Sequence, residues 1–478
     1  MKLSQLLEGI AHSSLPDTDI TDVTSDTRKE LAPGFAFVCI KGNTFDGHDS
    51  AEEMIKRGAK VIICEKDLGL ENQVIVKDTR AAYPRLCARF FGDPQKKLRL
   101  IGVTGTNGKT TITTVTKRIF DKLGIKAGLI GTVSNEIGGR VIHTERTTPE
   151  PYDLFELFGE MVSEGCEFCV MEVSSQGLEQ KRLEGCWFEI GAFTNLTQDH
   201  LDVHGTMENY YNAKKILFSL SDRAIINIDD EYGRRYCKEI TIPVKTLSVR
   251  GGGDFNASNI RLTAQGLEYD FSDGEVTLPV KFAMPGMFNA SNSLTVAAIF
   301  DSLGFDLKKI IPLIGEIEGV RGRVEVIPTG RDFTVICDYA HTPDALVNVL
   351  SAIKECSSGT LKCLFGCGGN RDAKKRPLMA KAAADNADFL IVTSDNPRNE
   401  DPELIIKDIL AGLEGTDKPY VTIPDRREAI VWAVKNAQPG DIIVLAGKGH
   451  EDYQILKGMK KIHFDEREEV AKALEQLD

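Results

Sequence analysis

The fold is decided by one stretch of the chain, Leu98-Arg99-Leu100-Ile101-Gly102-Val103-Thr104-Gly105-Thr106-Asn107-Gly108-Lys109-Thr110-Thr111. Its first residues follow a buried-strand pattern, and a glycine-rich loop then opens a helix. Backbone N–H groups and the helix dipole of such a loop can hold phosphate, with Lys109 on the terminal oxygens and Thr110 on magnesium. The strict motif requires glycine at position 103, where this chain has Val103. The stretch predicts a variant phosphate loop on a parallel sheet, and a glycine turn without phosphate is the alternative.

Patterns on both sides of this loop predict three α/β domains, in line with a length of 478 residues at roughly 150 residues per domain. A small α/β domain covers residues 1–97 and ends in the polar linker Gly92 to Lys97. The central domain, 98–326, has strand patterns such as Phe168 to Val173 that imply a parallel sheet, with an added antiparallel segment from Ala257 to Ala283. Residues 327–478 restart the alternation of strands and helices, which predicts a Rossmann-like, doubly wound domain.

Charge and composition narrow the possible partners. The formal charge is 58 minus 71, or −13, so non-specific binding to nucleic acid or anionic lipid is disfavoured. The N-terminus becomes polar too early for a signal peptide, and no apolar run is long enough for membrane insertion. The 11 cysteines are dispersed and mostly lie in apolar runs, which predicts reduced core residues. We expect a cytoplasmic, monomeric protein.

Four motifs carry a resemblance to a known family. They are Gly105-Thr106-Asn107-Gly108-Lys109-Thr110-Thr111, Glu172-Val173-Ser174-Ser175-Gln176, Asn195-Leu196-Thr197-Gln198-Asp199-His200-Leu201-Asp202 and Gly447-Lys448-Gly449-His450-Glu451. In this order they resemble the Mur ligase family, and the resemblance spans essentially the whole chain. It implies an N-terminal domain for the UDP end of a nucleotide sugar, a central ATPase, and a C-terminal domain for an incoming amino acid.

The resemblance implies that ATP activates a carboxylate as an acyl phosphate, which an amine then attacks. Magnesium must offset the crowded negative charge, and it prefers oxygen ligands such as Thr110 and Glu172. The resemblance adds His200 as a ligand and Lys214 as a carbamylated lysine able to hold a second magnesium. His200 and His204 also have a zinc-helix spacing, but the glutamate that such a helix needs is absent. A hydrogen-bonded structural histidine remains an equal reading of His204.

Further nucleotide contacts come from the same resemblance. It places Asn289 and Asn292 near the adenine, and Arg323 and Asp338 by the phosphates and ribose. An asparagine pair at a helix start is equally a cap. Asp338 ends a predicted strand, where open α/β sheets bind ligands.

The resemblance also implies UDP-MurNAc-L-Ala-D-Glu as a substrate. Hydroxyl groups and guanidinium groups suit its pyrophosphate and carboxylates. In the first domain, turn and cap roles compete with ligand binding. The candidate residues are Ser25, Thr27, Arg28, Asp46, His48, Thr147, Thr148, Ser174 and Arg182.

Three loops of the last domain each follow a predicted strand, so they face one crevice. They carry Arg371, the run Asp395-Asn396-Pro397-Arg398, and Gly447 to Glu451. Two guanidinium groups and two carboxylates suit a zwitterion with several carboxylates and amines. Arg398 can bind the distal carboxylate of meso-diaminopimelate, whereas L-lysine would place an ammonium there, a costly like-charge contact. A surface turn is the alternative reading of the Asp395 run.

These observations favour an ATP-dependent amide ligase that adds meso-diaminopimelate to the D-glutamate γ-carboxylate of UDP-MurNAc-L-Ala-D-Glu, in peptidoglycan precursor synthesis. An L-lysine-adding homologue and a folylpolyglutamate synthetase-like ligase share the phosphate loop. The latter would not explain an N-terminal domain of this size or the Asp395 to Arg398 run. A binding module without chemistry would hydrolyse ATP slowly and independently of amino acids.

Overall fold

Three sheets follow one another along the chain in the computed structural model. The structure describes residues 1–42, 45–144, 146–199, 201–263, 266–354, 357 and 359–477. Each sheet is surrounded by its own helices, and we call the three units the first, second and third lobes. The predicted α/β class and the sequence of three α/β units are therefore confirmed. The predicted boundaries at 97 and 326 remain predictions, and one strand of the third sheet straddles the second of them.

The first lobe has a four-stranded parallel sheet in the order β1-β2-β3-β4. Its strands are β1 (Val23–Thr24), β2 (Ala36–Val38), β3 (Val61–Cys64) and β4 (Gln73–Ile75). Its helices are α1 (Leu3–Leu7), α2 (Ala51–Lys56) and α3 (Thr79–Phe90). The core strands β2 and β3 are buried on both faces, as expected of parallel strands between helices.

The second lobe has an 11-stranded sheet in the order β15-β14-β13-β12-β11-β10-β5-β9-β6-β7-β8. Its strands are β5 (Arg99–Thr104), β6 (Ala127–Ile130), β7 (Asn135–Ile137), β8 (Arg140–Ile142), β9 (Phe168–Glu172), β10 (Phe188–Phe193), β11 (Ser221–Asn227), β12 (Val244–Ser248), β13 (Phe255–Thr263), β14 (Gly266–Ser272) and β15 (Thr277–Phe282). Its helices are α4 (Lys109–Lys122), α5 (Pro151–Ser163), α6 (Ser175–Glu179), α7 (Leu201–His204), α8 (Met207–Ser219), α9 (Glu231–Glu239), α10 (Met287–Ser302) and α11 (Leu307–Gly315).

The predicted antiparallel segment is confirmed, because β13, β14 and β15 pair antiparallel. This antiparallel segment belongs to the 11-stranded sheet and does not form a sheet of its own. Strand β12 pairs parallel with both β11 and β13, and so joins the hairpins to the parallel sheet.

The third lobe has a six-stranded sheet in the order β16-β17-β21-β18-β19-β20, with a two-stranded hairpin beside it. Its strands are β16 (Glu325–Ile327), β17 (Thr334–Asp338), β18 (Leu361–Phe365), β19 (Phe389–Val392), β20 (Tyr420–Thr422), β21 (Ile442–Ala446), and the hairpin strands β22 (Tyr453–Leu456) and β23 (Lys460–His463). Its helices are α12 (Pro343–Lys354), α13 (Lys375–Asn386), α14 (Pro402–Leu410), α15 (Arg426–Lys435) and α16 (Glu466–Glu475).

The first two lobes share an apolar core. A single cluster runs from Leu86 and Cys87 of α3 to Phe155 and Phe158 of α5. The Lys29 ammonium also lies 3.4 Å from the centre of the Tyr152 ring, across the same junction. Burial across this junction fixes the first lobe against the second. In the part of the chain that is described, no helix is long and apolar enough to cross a membrane.

Candidate active site

The strand order brings the phosphate loop to the centre of the second sheet. Strand β5 lies between β10 and β9, so the segments that follow these three strands meet at one edge. Gly105 has a φ of 151°, and a Cβ there would lie 1.8 Å from the Thr194 hydroxyl oxygen. The Asn195 carbonyl accepts the Thr106 N–H at 2.8 Å, and its side-chain oxygen accepts the Asn107 N–H at 3.0 Å. Only glycine fits at 105, and the motif around Asn195 holds the loop in shape.

Two lysines meet beneath this loop. Lys109 Nζ donates to the carbonyl oxygens of Gly105 and Thr106 at 2.9 and 2.8 Å. Lys214 comes from α8, is only 1% exposed, and donates to the same Gly105 oxygen at 2.8 Å. Burial lowers the pKa of Lys109, and burial together with the Lys109 charge lowers that of Lys214 well below its usual value. The two amino groups therefore lie side by side beneath the loop and share one carbonyl oxygen.

Glu172 ends β9 beside the loop and is 1% exposed. Its two carboxylate oxygens accept the Thr132 N–H at 2.8 Å and the Thr132 hydroxyl at 2.9 Å. A Cβ at Gly131 would lie 2.6 Å from Glu172 Oε1, so glycine leaves the room that this carboxylate needs. Glu172 and Thr110 line one cavity and offer carboxylate and hydroxyl oxygens. This donor set fits magnesium.

The predicted ligand His200 lies outside the described residues. For His204, the bonds are those of a structural histidine. Its Nε2 is 2.9 Å from the Ser175 hydroxyl and its Nδ1 is 3.2 Å from a Glu179 carboxylate oxygen. Its ring also stacks on Tyr210, with centroids 4.9 Å apart.

The candidates for sugar-peptide binding in the second lobe form one connected patch around the end of β9. The Thr148 hydroxyl donates to the Glu172 carbonyl at 3.0 Å and accepts the Ser174 N–H at 2.9 Å. Arg182 donates to the Thr148 carbonyl at 2.8 Å. The Thr147 and Thr132 hydroxyl groups are 2.9 Å apart. The four candidates are therefore linked to the Glu172 segment, and Thr147 reaches its carboxylate through the Thr132 hydroxyl.

In the first lobe, the candidate residues Thr27, Arg28, Asp46 and His48 bond to other residues of the same lobe. The Arg28 guanidinium binds both oxygens of Asp26, at 2.9 and 2.8 Å. Arg57 donates to the carbonyl of Thr27 and so fixes the loop of Ser25 to Lys29. His48 is buried, with Nδ1 2.6 Å from an Asp46 oxygen and Nε2 accepting the Glu65 N–H at 3.1 Å.

Both ring nitrogens of His48 are thus used inside the lobe. Any role of this ring in binding uridine would be to hold the loop in place. The Asp46 pKa falls below its usual value because it accepts the backbone N–H and the ring of His48.

Asn289 and Asn292 lie at the start of α10. Asn289 is fully buried, and its amide donates to the Pro285 carbonyl at 2.8 Å. Asn292 donates to Asn289 at 2.8 Å, and a Cβ at Gly108 would lie 2.5 Å from its side-chain oxygen. Gly286, not an asparagine, takes the cap position of this helix. Asn292 therefore touches the phosphate loop, whereas Asn289 supports it from behind.

Arg323 and Asp338 lie where the third lobe meets the loop. Arg323 Nη2 donates to the Thr110 hydroxyl at 3.2 Å, so a third-lobe guanidinium reaches the phosphate loop directly. Asp338 accepts the N–H groups of Val324 and Ala340, both at 2.7 Å. Burial raises its pKa, and Arg323 opposes that rise.

The three predicted loops of the third lobe do meet. They follow β18, β19 and β21, which are neighbours in the sheet. We call the pocket formed by residues 366–371, 395–398 and 447–451 the third-lobe crevice. Asn396 Nδ2 donates to Glu451 Oε2 at 3.1 Å across it. Arg398 Nη1 donates to the Gly369 carbonyl at 2.9 Å, and a Cβ at Gly368 would lie 2.8 Å from that nitrogen and 3.7 Å from Arg371 Cγ.

Arg398 has an uncommon backbone conformation, with a φ of 53°. Its N–H donates to the Ile455 carbonyl at 3.0 Å, so strand β22 holds this conformation. Arg371 is exposed beside it. Strain at a ligand-type arginine is common at binding sites.

One cavity of about 800 Å³ joins the two halves. Its walls include Thr110 and Glu172 from the second lobe, and Tyr339, His450 and Glu451 from the third. The sequence had given no role to Lys448, Tyr339 or His450, although two of them lie inside a quoted motif. Fold and site together define a class: an α/β enzyme in which a phosphate loop and a charged amino-acid-type crevice open into one cavity.

Comparison with known proteins gives the family. Three family models match: "Mur ligase family, catalytic domain" at residues 19–88, "Mur ligase middle domain" at 103–300, and "Mur ligase, glutamate ligase domain" at 322–449. The chain belongs to the Mur ligase family.

Similar proteins cover the whole chain. The "UDP-N-acetylmuramoyl-L-alanyl-D-glutamate--2,6-diaminopimelate ligase 1" of Clostridium acetobutylicum is 44% identical over 100% of both chains. The ligase of the same name, without the final number, from Geobacillus kaustophilus is 44% identical over 98% of both. A solved structure of a ligase with that name has a TM-score of 0.73 and 32% identity, over 100% of this chain and 99% of the other.

Proposed function

We propose that the protein joins meso-diaminopimelate to the D-glutamate γ-carboxylate of UDP-MurNAc-L-Ala-D-Glu, with ATP as the co-substrate. The reaction is a step of peptidoglycan precursor synthesis. Relatives that cover the full chain bear the name of this ligase. The observation that carries the proposal is the shared cavity, with the phosphate loop and Glu172 on one wall and Glu451 of the third-lobe crevice on the other.

The chemistry proceeds in two balanced steps. The γ-phosphoryl group of ATP passes to the substrate carboxylate, which gives an acyl phosphate and ADP. The amine then attacks the acyl carbon, the bond to the phosphate oxygen breaks, and phosphate and one proton leave. Lys109 beneath the phosphate loop and Arg323 lie where negative charge accumulates in both steps, and fixed positive charge there lowers the barrier.

Thr110 and Glu172 would hold magnesium, whose chemistry there is to neutralise phosphate oxygens. Around them, Thr132 fixes both oxygens of Glu172 in advance. The Thr148 hydroxyl bridges the Glu172 carbonyl and the Ser174 N–H, which aligns the substrate-side patch with that carboxylate. Such preformed contacts spare the site a reorganisation when charge develops.

Carbamylation of Lys214 belongs to the proposal as well. Carbon dioxide reacts with a neutral amine, and burial and the Lys109 charge lower the pKa of Lys214, so its neutral form is reached more easily than that of an exposed lysine. The product, a carbamate, would replace a cation by an anion next to Lys109 and could hold a second magnesium. This supports the modification on chemical grounds, independently of the resemblance.

The crevice supplies the selectivity. Asp395 and Glu451 are suited to an ammonium, and Arg371 and Arg398 to carboxylates. A free guanidinium edge of Arg398 favours a substrate with a distal carboxylate over lysine, whose distal ammonium would be repelled.

The test is phosphate release and product formation by the purified full-length protein with ATP, magnesium and UDP-MurNAc-L-Ala-D-Glu. A panel of meso-diaminopimelate, L-lysine, D-alanyl-D-alanine and L-glutamate is supplied in turn. We expect turnover with meso-diaminopimelate far above that with the others. Equal use of L-lysine would refute the substrate assignment, and amino-acid-independent ATP hydrolysis would refute ligation altogether.

A further inference from the structure

Lys448 lies at the centre of the third-lobe crevice and is 0% exposed. Its ammonium donates to Asn396 Oδ1 at 2.7 Å, to Glu451 Oε2 at 2.9 Å and to the Tyr453 carbonyl at 2.8 Å. An ammonium has three N–H donors, so these bonds use all of them. A fully buried lysine with every donor satisfied is fixed in position.

A fourth oxygen also faces this ammonium. Asp395 Oδ1 is 3.2 Å from Lys448 Nζ and is buried, and it receives no hydrogen bond from the described residues. The Asp395 carboxylate therefore meets Lys448 as an ion pair. Burial is the largest influence on the pKa of Asp395 and raises it, but the charges of Lys448 and Arg426 and the contact with the Lys448 ammonium together lower it below its usual value.

The lysine thereby determines which oxygens face inwards. Glu451 uses Oε2 for both Lys448 and Asn396, and Asp395 turns Oδ1 towards the ammonium. The remaining oxygens, Glu451 Oε1 and Asp395 Oδ2, are left for a ligand. Lys448 also orients the amide of Asn396, whose Oδ1 accepts from Lys448 and from the Ile455 N–H at 2.9 Å.

The charges around Lys448 are unequal. The buried Lys448 ammonium faces the carboxylates of Asp395 and Glu451. With the usual pKa values of such side chains, these three together carry a net charge of about −1 at neutral pH. An unbalanced buried charge is unfavourable. One ammonium of an incoming amino acid would balance it.

We propose that Lys448 is a positioning residue for amino-acid binding: it anchors the inner oxygens of Asp395 and Glu451, so that their outer oxygens bind an ammonium group of the incoming diamino acid. This inference rests on the proposed function. Without Lys448 the two carboxylates repel each other, one of them takes up a proton, and the Asn396 amide loses the partner that orients it.

The experiment compares the full-length wild type with Lys448→Met and Lys448→Gln, with KM and kcat measured separately for each of the three substrates. Met removes the charge at similar length, and Gln keeps a polar group that can still bond to Asn396. We expect KM for meso-diaminopimelate to rise by about 30-fold or more in both variants, the usual effect of breaking a buried charge pair at a binding surface. KM for ATP and for UDP-MurNAc-L-Ala-D-Glu should stay near the wild-type values, because the residues proposed to bind these two substrates do not bond to Lys448.

Lys362→Met is the matched control. Lys362 is also buried in the third lobe and pairs with Asp441 at 2.7 Å, but it lies at the start of β18, at the opposite end of the sheet from the crevice. It reports what losing a buried lysine costs the fold, and it should leave all three KM values at the wild-type level. Thermal unfolding of each variant accompanies the kinetics.

The outcomes separate the two proposals. A wild type that does not use meso-diaminopimelate overturns the proposed function, and with it the role of Lys448. An active wild type whose Lys448 variants keep its KM for meso-diaminopimelate overturns the role of Lys448 alone. The same holds if all three KM values rise together, or if both Lys448 variants unfold while Lys362→Met folds, since the lysine then serves the fold.

Discussion

Lys214 and Lys448 are both buried lysines at the carboxyl edge of a mainly parallel sheet, yet their surroundings are opposite in charge. Lys214 shares a backbone oxygen with a second lysine, Lys109, and both burial and the Lys109 charge disfavour a charged Lys214. Lys448 bonds to the carboxylate of Glu451 and faces that of Asp395. The amino group of Lys214 therefore has a second amino group as its neighbour, whereas the ammonium of Lys448 has two carboxylates around it.

This difference shows how one fold can bind two kinds of ligand. In both lobes the parallel sheet places the ligand-binding segments at the carboxyl edge of its strands. The residues at that edge determine the charge of the ligand that each site can bind. Amino groups, as in the second-lobe site, suit phosphates and a carbamate. A pair of carboxylates, as around Lys448, suits an ammonium. Because both sites open into one cavity, an activated acid and an amine can meet between them.

The largest expected effect comes from removing the amino group of Lys214 in the second-lobe site. We expect Lys214→Ala to lower turnover by about 10³-fold, the scale of losing a preorganised electrostatic contact. Added bicarbonate should not restore activity, because no amine remains to be carbamylated. Product formation under saturating substrates is the measurement.

Lys215→Ala is the control for that variant. Lys215 follows on the same helix but is a third exposed and pairs with Glu239. Its replacement should leave turnover intact. Near-normal turnover of Lys214→Ala would remove both the carbamate and the charge argument for the second-lobe site.

The next variant concerns Arg398, the guanidinium of the third-lobe crevice that is proposed to bind the distal carboxylate of meso-diaminopimelate. In Arg398→Ala the preference for meso-diaminopimelate over L-lysine should fall by between about 10- and 100-fold, because a charged hydrogen bond contributes roughly 1.5–3 kcal/mol. Competition between the two amino acids measures the ratio of their kcat/KM values. Arg398→Lys keeps the charge but loses the planar fork, and should recover only part of the preference. An unchanged ratio in Arg398→Ala would contradict the role of this side chain.

A smaller effect is expected where glycine makes room for Glu172. In Gly131→Ala the new methyl group would press on Glu172 Oε1. We expect the magnesium concentration needed for half-maximal turnover to rise by about 10-fold, the lower end for disturbing the support of a metal ligand.

Gly159→Ala, in α5 with open space around a Cβ, is the matched control for the glycine variant and should behave as wild type. A normal magnesium response in Gly131→Ala would mean that Glu172 tolerates displacement. Removal of divalent ions with EDTA should abolish turnover in both variants, and added magnesium should restore it.

Much of the fold could be predicted from the sequence because parallel strands are continuous apolar runs with ligand-type residues at their ends. The strand predicted over Phe168 to Val173 is β9, which ends one residue earlier at Glu172, and Asp338 does end β17. The short hairpin β7–β8 has too few residues for a pattern. The extension of the second sheet depends on how β12 pairs, which no local signal determines.

The site was predictable where a residue type implies its chemistry, and not where burial changes its role. His48 reads as an exposed loop residue until its two buried hydrogen bonds are known. Lys448 stands between two glycines in a loop, a context typical of solvent exposure. Only the strand order brings Asp395, Asn396 and Glu451 around it.

The smallest effect concerns the border between the two sites. Burial lowers the pKa of His450 to about 3, and the charges of Arg323, Arg321 and Arg467 add to that effect. In the unfolded chain the pKa of a histidine is near 6.5. Between about pH 3 and pH 6.5 the unfolded chain therefore binds more protons at His450 than the folded protein does. The contribution of His450 to the free energy of unfolding is therefore fully present above pH 6.5 and is lost as the pH falls below that value. In His450→Gln the urea midpoint should fall less steeply on acidification from pH 7 to pH 5 than in wild type.

His463 offers the opposite case in the same lobe and so serves as the control. It is exposed, and its hydrogen bond to Glu468 at 2.8 Å raises its pKa. Its stabilisation is complete below the unfolded value and is lost as the pH rises through the folded one, so His463→Gln should lower the urea midpoint at pH 5.5 more than at pH 8. The two variants should thus change the pH slope in opposite directions. A parallel change in both would show that the folded protein does not disfavour a protonated His450 ring, contrary to the burial and the arginine charges around it.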